Sequence, residues 1–513
     1  MTHWIIAPVI LPAILAPFII LAARYHLGIQ RVFSVAGVIG LIAVATGLAW
    51  QASDGSVMLY QLGGWAAPFG IVIVGDRLST LMVLLTSVLA LFVLLYSIGS
   101  NWDNRGRHFH ALYHFQLMGI MGAFLTGDLF NLFVFFEVLL IASYGLMIHS
   151  GGDLRLRAGV QYVLFNLLGS TLFLFALGSI YAETGTLNMA DIAQRVQLID
   201  DNATAGIRVA AVLLLLVFII KAAVFPLHFW LPSSYAEAPG PVAALFAIMT
   251  KVGAYAIIRV YTVIFPPDLL VTNGLHTKWL LPFALISLVV GVCGVLAARK
   301  LDRLAAYSIV ASMGMVMIAI SFFTLSSIAA ALYYIVHSTF AAAALFLIVD
   351  LVRTSRANLE LTEQPPVSDA ALTAGLFFIA AIAMTGLPPL SGFMGKLLIL
   401  DAAFDTENMV WVWSVILVAS LVSIVGFSRA GSIVFWKTQN CEQVENNVNH
   451  IAPTALSYAG IGGLIAVLVI YTIFSGPIYH YMVATAEQLF APKEYISTVL
   501  ESPGKLTKST EGY

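Results

Sequence analysis

The sequence predicts an all-α polytopic membrane protein with about 14 transmembrane helices, because of its composition and the length of its apolar runs. Of its 513 residues, 60% are hydrophobic and only 10% are charged, whereas a soluble domain carries about 25% charged residues. The formal net charge of −2 excludes a nucleic-acid binder that works through a basic face. Membrane lipids, and no nucleic acid, are therefore expected around the chain.

Fourteen apolar runs justify the helix count in chain order. They lie at 4–23, 31–50, 78–99, 110–126, 129–149, 158–181, 208–230, 239–264, 279–298, 302–323, 326–352, 370–404, 409–436 and 455–482. The run at 370–404 is too long for one straight helix, so we interpret it as one helix broken at Pro388 and Pro389. The run at 208–230 is also interrupted, at Pro226.

Lysine and arginine residues in the short loops predict the orientation. Of the two sets of alternating loops, one carries twelve basic residues and the other carries only Arg77, Arg195, Arg208 and Lys278. The first set, here called the basic end, holds Arg24, Arg31, Arg105, Arg107, Arg155, Arg157, Arg299, Lys300, Arg303, Arg353, Arg356 and Lys437. We expect the basic end to be cytoplasmic in a bacterial inner membrane, with both termini outside. The tail at 493–513 is expected to be a short or partner-bound extension.

Four charged residues lie deep inside the apolar runs and are candidates for function: Glu137, Lys221, Lys251 and Lys396. Each costs about 2.5–3.5 kcal/mol at a helix centre, or on the order of 10 kcal/mol for the four if they face lipid. Such groups are therefore expected to face a protein interior or a wet cavity. Structural ion pairing between helices is the alternative, but one glutamate cannot neutralise three lysines.

Each of the two broken runs carries a lysine near its break. Lys221 precedes Pro226 by five residues, and Lys396 follows Pro389 by seven. A pair of interrupted segments in the two halves of a chain indicates a transport site built from inverted repeats. We infer two inverted five-helix repeats, at 110–264 and 279–436. Helices 1–3 would occupy 1–109, and helix 14 with the tail would occupy 437–513.

Lysine and glutamate together suit proton transfer. Burial can lower the pKa of a lysine by several units, and a nearby carboxylate raises that pKa again. A Glu–Lys pair that separates and rejoins can therefore load and unload a proton, whereas arginine stays protonated. His337 could relay protons near neutral pH, or it could be a hydrogen-bonded core histidine. His228, beside the break at Pro226, is a secondary candidate that more simply shapes the break.

Other polar residues are expected to play structural roles. His108, His110 and His114 resemble a metal cluster, but their position beside a basic loop predicts a solvated helix start. Arg259 lies near a helix end and is expected to extend towards water. Asp76 lies at a helix start, where an acid suits the helix dipole.

The sequence has no motif for a bound energy source or redox group. We find no Gly-x-x-x-x-Gly-Lys-Ser/Thr loop, no dinucleotide fingerprint and no Cys-x-x-Cys pair. Cys293 and Cys441 lie too far apart to indicate a zinc site. We therefore expect no cofactor and no metal, and the energy must come from an ion gradient or from a partner.

Several long motifs resemble one family. The stretches are 126–146 around Glu137, Lys221-Ala-Ala-Val-Phe-Pro-Leu-His-Phe-Trp-Leu-Pro, Ala238-Pro-Gly-Pro-Val and Thr250-Lys251-Val-Gly. They closely resemble the D subunit of Mrp/Pha-type multisubunit Na⁺/H⁺ antiporters, in the antiporter-like superfamily shared with respiratory complex I. The similarity spans nearly the whole chain and is strongest over about 110–400. Complex I relatives usually have Leu-Pro-Asp-Ala-His where this chain has Leu231-Pro-Ser-Ser-Tyr235, which favours the Mrp assignment.

The resemblance implies a role for each candidate residue. Glu137 and Lys221 would form a charge-switching pair, and Lys251 would be the central relay. His337 would bridge from Lys251 towards Lys396. Several relatives carry a lysine four residues after this histidine, whereas this chain has Ala341. The route through the second half would then depend on His337, water and Lys396.

The resemblance also implies partners. The chain would be a proton-translocating transporter subunit, not an enzyme, beside membrane subunits of the A, B, C, E, F and G types. The complex would exchange cytoplasmic Na⁺, or in some cases K⁺ or Li⁺, for external H⁺ and so serve pH homeostasis. No cluster of carboxylates in the sequence indicates a Na⁺ site. The alternative is a proton-pumping membrane subunit of complex I or of a membrane-bound hydrogenase.

Overall fold

The regular elements in the described part of the chain are helices and one β-hairpin. The computed structural model describes residues 2–200, 204–272, 274–356, 358–438 and 453–504. Most of the predicted polar loop at 437–454 and the last part of the predicted tail, 505–513, lie outside these residues. The hairpin, β1 (Met58–Gln61) and β2 (Val72–Gly75), is antiparallel. It occupies part of a polar stretch in which no strand was predicted.

Twenty α-helices follow one another along the described chain. They are α1 (Ala7–Leu21), α2 (Leu27–Ala52), α3 (Arg77–Gly99), α4 (Phe109–Leu125), α5 (Leu129–Met147), α6 (Asp153–Thr184), α7 (Met189–Arg195), α8 (Ala205–Ala222), α9 (Trp230–Glu237), α10 (Gly240–Leu245), α11 (Met249–Val263), α12 (Leu275–Ala297), α13 (Leu301–Ser321), α14 (Leu325–Arg356), α15 (Ala370–Thr385), α16 (Ser391–Ala402), α17 (Met409–Gly431), α18 (Ala455–Ile473), α19 (Ser475–Phe490) and α20 (Lys493–Leu500). Helix α10 continues into α11 through one 3₁₀ turn at Phe246–Ile248.

Twelve helical segments of the described chain are long and apolar enough to cross a membrane. They correspond to twelve of the predicted apolar runs. The other two runs are α4, which has 17 residues, and the pair α15 and α16, which replaces one long run. The predicted all-α polytopic membrane class is confirmed.

Both predicted helix breaks are present. Helix α8 ends at Ala222 and α9 begins at Trp230, on either side of Pro226. Helix α15 ends at Thr385 and α16 begins at Ser391, so the two prolines at 388 and 389 lie between them. Proline has no N–H to donate and disfavours a helical residue before it, which favours a break at both places.

The centre of the bundle is formed by two helical segments that protein encloses on all sides. In the segment 240–263 and in α14, every residue of the most apolar stretch of 18 residues is buried. Helix α14 packs against α10, α13, α15, α16, α18 and α19. Because these segments carry Lys251 and His337, their polar atoms are kept away from lipid, where a charge is costly.

The last predicted apolar run, 455–482, is not a single helix. Helix α18 ends at Ile473, and α19 begins two residues later and packs against α14. Gln488 of α19 donates to the Gly55 carbonyl at 2.7 Å and accepts from the Arg77 backbone N–H at 3.1 Å. The boundary between the two helices was missed, although Ser475, Gly476 and Pro477 directly after Phe474 were a local signal for a turn.

Part of the predicted tail is folded onto the body of the protein. Helix α20 packs against α7 and buries Tyr495 and Val499. The predicted short or partner-bound extension thus begins with a helix that packs on this chain itself as far as Leu500. The physical reason is the spacing of these two apolar residues, four apart, which places both on one face of a helix.

The predicted solvated helix start is wrong for two of the three histidines. His110 and His114 are both 0% exposed, while His108 is exposed. The Asp103 carboxylate accepts a hydrogen bond from His110 Nε2 at 3.1 Å and from Arg31 Nε at 2.6 Å. These two hydrogen bonds outweigh the opposing effect of burial and lower the pKa of Asp103.

Arg259 does not extend to water as predicted. It is 2% exposed, and its guanidinium donates to both oxygens of Asp76 at 2.6 and 2.7 Å. Asp76 caps α3 as predicted, through the Ser79 backbone N–H at 2.9 Å. The ring of Tyr495 on α20 lies 5.3 Å from the guanidinium carbon. One buried ion pair thus joins α3 and α11, and α20 covers it.

We predict that this buried ion pair makes a large contribution to stability. Asp76→Ala leaves Arg259 buried without a counter-ion, which should lower the free energy of unfolding by about 3–5 kcal/mol. Replacing both partners by apolar residues, Asp76→Leu with Arg259→Met, should restore most of the loss. Both effects are measured by thermal melting of the purified protein, with tryptophan fluorescence as the signal for unfolding.

The control is the half-exposed pair of Arg303 and Glu237, whose charged atoms lie 3.8 Å apart. Arg303→Gln should change the free energy of unfolding by no more than about 1 kcal/mol. Equal destabilisation by Asp76→Ala and Arg303→Gln would contradict the prediction.

Candidate functional site

The carboxylate of Glu137 on α5 and the ammonium of Lys221 on α8 do not touch directly. No ion pair within 4.0 Å joins these two described side chains. Helix α6 provides a bridge between them instead. The Ser170 hydroxyl donates to Glu137 Oε1, and Lys221 Nζ donates to Asn166 Oδ1 at 3.1 Å. A single turn of α6 therefore connects the two charges.

Sequence reasoning missed both bridging residues. Asn166 and Ser170 are buried, whereas Leu164, Leu167 and Leu168 on the same helix are exposed. Residues four apart in a helix share one face. Two polar side chains at this spacing in an apolar run were therefore the sequence signal that could have identified the bridge. The polar pair marks the side of α6 that faces the protein.

Glu137 lies at the edge of the chain rather than at its centre. It is half-buried, and Phe130, Val134 and Ile141 on the same stripe of α5 are exposed. The spacing of four, three and four residues places all of them on one side of the helix. A carboxylate at the margin of an apolar surface is costly against lipid, and the hydrogen bond from Ser170 keeps Glu137 Oε1 on the protein side of this stripe.

Lys221 and Lys251 lie on helices that approach each other very closely. A Cβ at Gly253 would lie 2.7 Å from the Ala222 nitrogen and 2.9 Å from the Phe218 oxygen. No side chain fits at this contact, so glycine at 253 sets the separation of α8 and α11. The contact lies one residue from Lys221 and two residues from Lys251 along their chains.

A small cavity lies beside Lys221, between α8 and α11. Its lining includes Asn166, Trp230, Met249 and Val252. Lys251 is 0% exposed, and its Nζ has no hydrogen-bond partner among the described residues. A buried polar atom without a partner marks a position for water or for a transferred proton.

His337 connects the two halves of the second broken helix. Its Nε2 lies 3.1 Å from the Ala383 carbonyl of α15, and its Nδ1 lies 2.8 Å from the Ser391 hydroxyl of α16. Because a carbonyl only accepts, Nε2 must carry the proton, and Nδ1 of the neutral ring accepts from Ser391. His337 also lies within electrostatic range of Lys396 and Lys251.

Lys396 uses a carbonyl that the helix break sets free. Its Nζ donates to the Thr385 carbonyl at 2.7 Å and to the Ser420 hydroxyl at 2.8 Å. Thr385 is the last residue of α15, where carbonyls lack partners within the helix and the helix dipole favours a cation. The residues that line a cavity beside Lys396 include four serines, Ser308, Ser312, Ser420 and Ser423.

The other candidate positions differ in their surroundings. His228 lies in the turn between α8 and α9, with its ring stacked on Phe225 at 6.0 Å between centroids. It contributes to the shape of the break, and the contacts described above do not include it. Ala341 is fully buried on α14.

The five primary candidates lie on α5, α8, α11, α14 and α16. In that order, with α6 between the first two, each helix packs against the next. The structure therefore brings Glu137, Lys221, Lys251, His337 and Lys396 into one series across the bundle. Asn166, Ser170, Ser391 and Ser420 are the additional polar side chains that contact this series.

Comparisons with known proteins agree with this arrangement. Residues 126–423 match the family model described as NADH:quinone oxidoreductase/Mrp antiporter, TM. The chain is 37% identical to the D-type subunit of the Na⁺/H⁺ antiporter of Alkalihalophilus pseudofirmus, over 98% of this chain and 100% of that protein. It is 34% identical to the D-type subunit of a probable K⁺/H⁺ antiporter of Rhizobium meliloti, over 98% of each.

Solved structures show the same fold. A chain of the Mrp complex from Dietzia matches with a TM-score of 0.86 and 26% identity, over 98% of this chain and 100% of that one. A chain of respiratory complex I from Thermus thermophilus matches with a TM-score of 0.78 and 24% identity, over 95% and 99%. At that identity the second likeness concerns the fold alone. The family model covers more than half of the chain, and with the full-length relatives it establishes that this protein belongs to the NADH:quinone oxidoreductase/Mrp antiporter membrane family.

Proposed function

We propose that the chain is the proton-translocating subunit of a multisubunit Na⁺/H⁺ antiporter of the Mrp type. The observation that carries the proposal is the series of buried ionisable side chains, which begins with a carboxylate and a lysine bridged by one turn of α6. The names of the full-length relatives, both D-type subunits of antiporters, support this interpretation. The chain is then a transporter subunit without a catalytic centre of its own.

The first step concerns Glu137 and Lys221. An ionised Glu137 stabilises the Lys221 ammonium, through the bridge of Ser170 and Asn166. When the carboxylate is protonated or moves away, the ammonium loses this support and transfers its proton through water in the adjacent cavity to Lys251. Glutamate and lysine both exchange protons readily, and arginine in either place could not.

The second step carries the proton from Lys251 to Lys396 by way of His337. A proton can reach the ring at Nδ1 once the Ser391 hydroxyl rotates away, and the ring then has two N–H groups. Release of either proton restores a neutral ring. Water among the serine hydroxyls beside Lys396 would complete the route, without the lysine that relatives carry at position 341.

The proposal also assigns the partner contact and the cation. The exposed stripe of α5 that carries Glu137 is covered by another membrane subunit of the complex, so a cation that moves through that subunit can act on Glu137. The basic end is cytoplasmic, both termini lie outside, and two inverted five-helix repeats, at 110–264 and 279–436, form the bundle. We place no Na⁺ site in this chain.

A proton-pumping subunit of complex I or a membrane-bound hydrogenase is the alternative, because the Thermus thermophilus chain has the same fold. Reconstitution of the whole complex in vesicles separates the two functions. Addition of Na⁺ alone should change the internal pH if the complex is an antiporter. Proton movement that requires an electron donor and acceptor would overturn the proposal.

We predict that the charge switch fails when Glu137 loses its negative charge or when the side chain at position 221 can no longer bind and release a proton. Glu137→Gln keeps the shape and removes the charge that stabilises the Lys221 ammonium. Lys221→Ala removes the proton carrier, and Lys221→Arg retains a charge that does not release its proton. All three variants should abolish Na⁺-driven proton movement while native gels show normal assembly. Transport at the normal rate in Lys221→Arg or Glu137→Gln would mean that the pair is structural.

We predict that the α6 bridge is needed for the switch. Asn166→Leu removes the acceptor of Lys221, and Ser170→Ala removes the donor to Glu137. A hydrogen bond to a charged group contributes about 1.5–3 kcal/mol, so each variant should slow transport about tenfold or more. Initial rates of proton movement in vesicles measure this.

The matched control for the bridge is Thr171→Val, on the exposed side of α6, where the hydroxyl donates only to the Leu167 carbonyl of its own helix. This variant should stay within about twofold of the original rate. The bridge has no role if all three variants transport alike.

We predict that close packing around His337 is essential for the second half of the route. A Cβ at Gly392 would lie 2.2 Å from the Ala383 oxygen and 2.8 Å from His337 Nε2. Gly392→Ala should therefore displace the imidazole, with a strain of about 1–3 kcal/mol and a loss of transport of about tenfold. Gly375→Ala on α15 is the control, since a Cβ there meets nothing within 4 Å. Equal rates for the two alanine variants would argue against a relay through His337.

A further inference from the structure

A second buried carboxylate, Asp350, lies outside the proposed proton series. Asp350 is on α14 and is 1% exposed. Its Oδ2 accepts two hydrogen bonds, from Tyr96 Oη at 2.9 Å and from Trp102 Nε1 at 2.7 Å. Its Oδ1 has no hydrogen-bond partner in the described part of the chain. The carboxyl group is thus held by one oxygen and open at the other.

Asp350 lies beside a small cavity near the basic end. A Cβ at Gly240 would lie 2.3 Å from Asp350 Cβ and 2.6 Å from Oδ1, so the backbone of α10 lies directly against this side chain and only glycine fits there. Gly240 and Asp350 both line the cavity, with Tyr235, Asp302 and Arg353. A buried polar atom without a partner, placed beside a small cavity, suits bound water.

No described cation forms an ion pair with Asp350 within 4.0 Å, although Arg155 interacts with it electrostatically and Arg105 and Arg155 lie over the Trp102 ring at 4.0 and 5.6 Å. Arg353 donates to Asp302 Oδ2 at 3.1 Å and to the Ala236 carbonyl at 3.2 Å. Arg303 and Glu237 form a longer pair at 3.8 Å nearer the surface. Side-chain exposure falls from 37% for Arg303 to 10% for Asp302 and to the buried Asp350. The polar groups therefore lead from solvent inwards to Asp350.

We propose that Asp350 is the proton-exchange residue that connects the buried series with water at the basic end. A proton from water binds Oδ1 and leaves from the same oxygen, while Tyr96 and Trp102 hold the carboxyl group in position through Oδ2. The inner connection runs along α10 and α14, which pack together and lead to Lys251 and His337. His337 is 13 residues away on α14, or about 20 Å at 1.5 Å per residue. Water molecules must bridge this distance.

The role of Asp350 rests on the proposed proton transport. It does not depend on the direction in which the protons move. Because every step is reversible, the same residue serves proton uptake and proton release at this end. Glu137 and Asp350 would then act at two different places, one at the subunit surface within the apolar region and one at the aqueous end.

The test uses the whole complex in vesicles with Asp350→Asn. Asparagine keeps the shape and the acceptor for Tyr96 and Trp102, but its amide binds no proton. A positioned proton-transfer group contributes about 10²-fold or more, so Na⁺-driven proton movement should fall by about that factor, with assembly unchanged on native gels. The control is Asp369→Asn, an exposed carboxylate that also accepts from a tyrosine, Tyr458, at 3.1 Å.

Infrared difference spectra of the purified complex on Na⁺ addition provide a readout that a structural role would not change. A protonated carboxyl band should disappear in Asp350→Asn and persist in Asp369→Asn. The assignment of Asp350 is wrong if the original complex moves protons and the Asp350→Asn complex moves them equally fast. It is also wrong if the band persists in Asp350→Asn. In both cases the transport proposal stands. If the original complex moves no protons on Na⁺ addition, the transport proposal itself fails.

Discussion

The need to keep ionisable side chains inside an apolar helix bundle governs the architecture of this protein. Each carbonyl inside a complete helix already accepts a backbone hydrogen bond, so the free carbonyls at a helix end are better acceptors for a buried lysine or histidine. The two breaks provide such ends. Lys396 binds the Thr385 carbonyl and His337 binds the Ala383 carbonyl, both at the end of α15. At the first break, Trp230 donates to the Ile220 carbonyl at 3.1 Å. The prolines therefore matter because they expose backbone acceptors within the bundle.

The two halves of the bundle bind their lysines in different ways. Lys221 binds a side-chain amide that belongs to α6, and Glu137 reaches the same turn of α6 through Ser170. Lys396 binds a backbone carbonyl and a serine, and no described carboxylate lies within 4.0 Å of it. A side-chain amide can rotate, whereas a carbonyl at a helix end is fixed by the backbone. The first half thus holds its lysine through a side chain that can move, whereas the second half holds Lys396 partly through the fixed backbone.

The sequence predicted the features that depend on local composition. Apolar runs marked the spans, and prolines beside lysines marked the breaks, because both signals lie within a few adjacent residues. Contacts between distant segments were not predictable in this way. Arg259 pairs with Asp76, 183 residues away, so its position near a helix end wrongly suggested a solvated side chain. His110 is buried because Asp103 and Arg31 come together around it, and Asn166 and Ser170 became visible as a bridge only once α5, α6 and α8 were placed side by side.

The distribution of burial also bears on how the chain would be driven. Lys251 and His337 lie on segments that protein encloses on every side, so no neighbouring subunit can reach them. Glu137 is the member of the series on an exposed apolar stripe of α5. Under the proposed mechanism a partner acts on the series at this carboxylate, and its influence passes through Ser170 and Asn166 to Lys221. The same mechanism starts proton transfer by a change of charge at the edge of the bundle, so it does not call for a large helix movement in the enclosed centre.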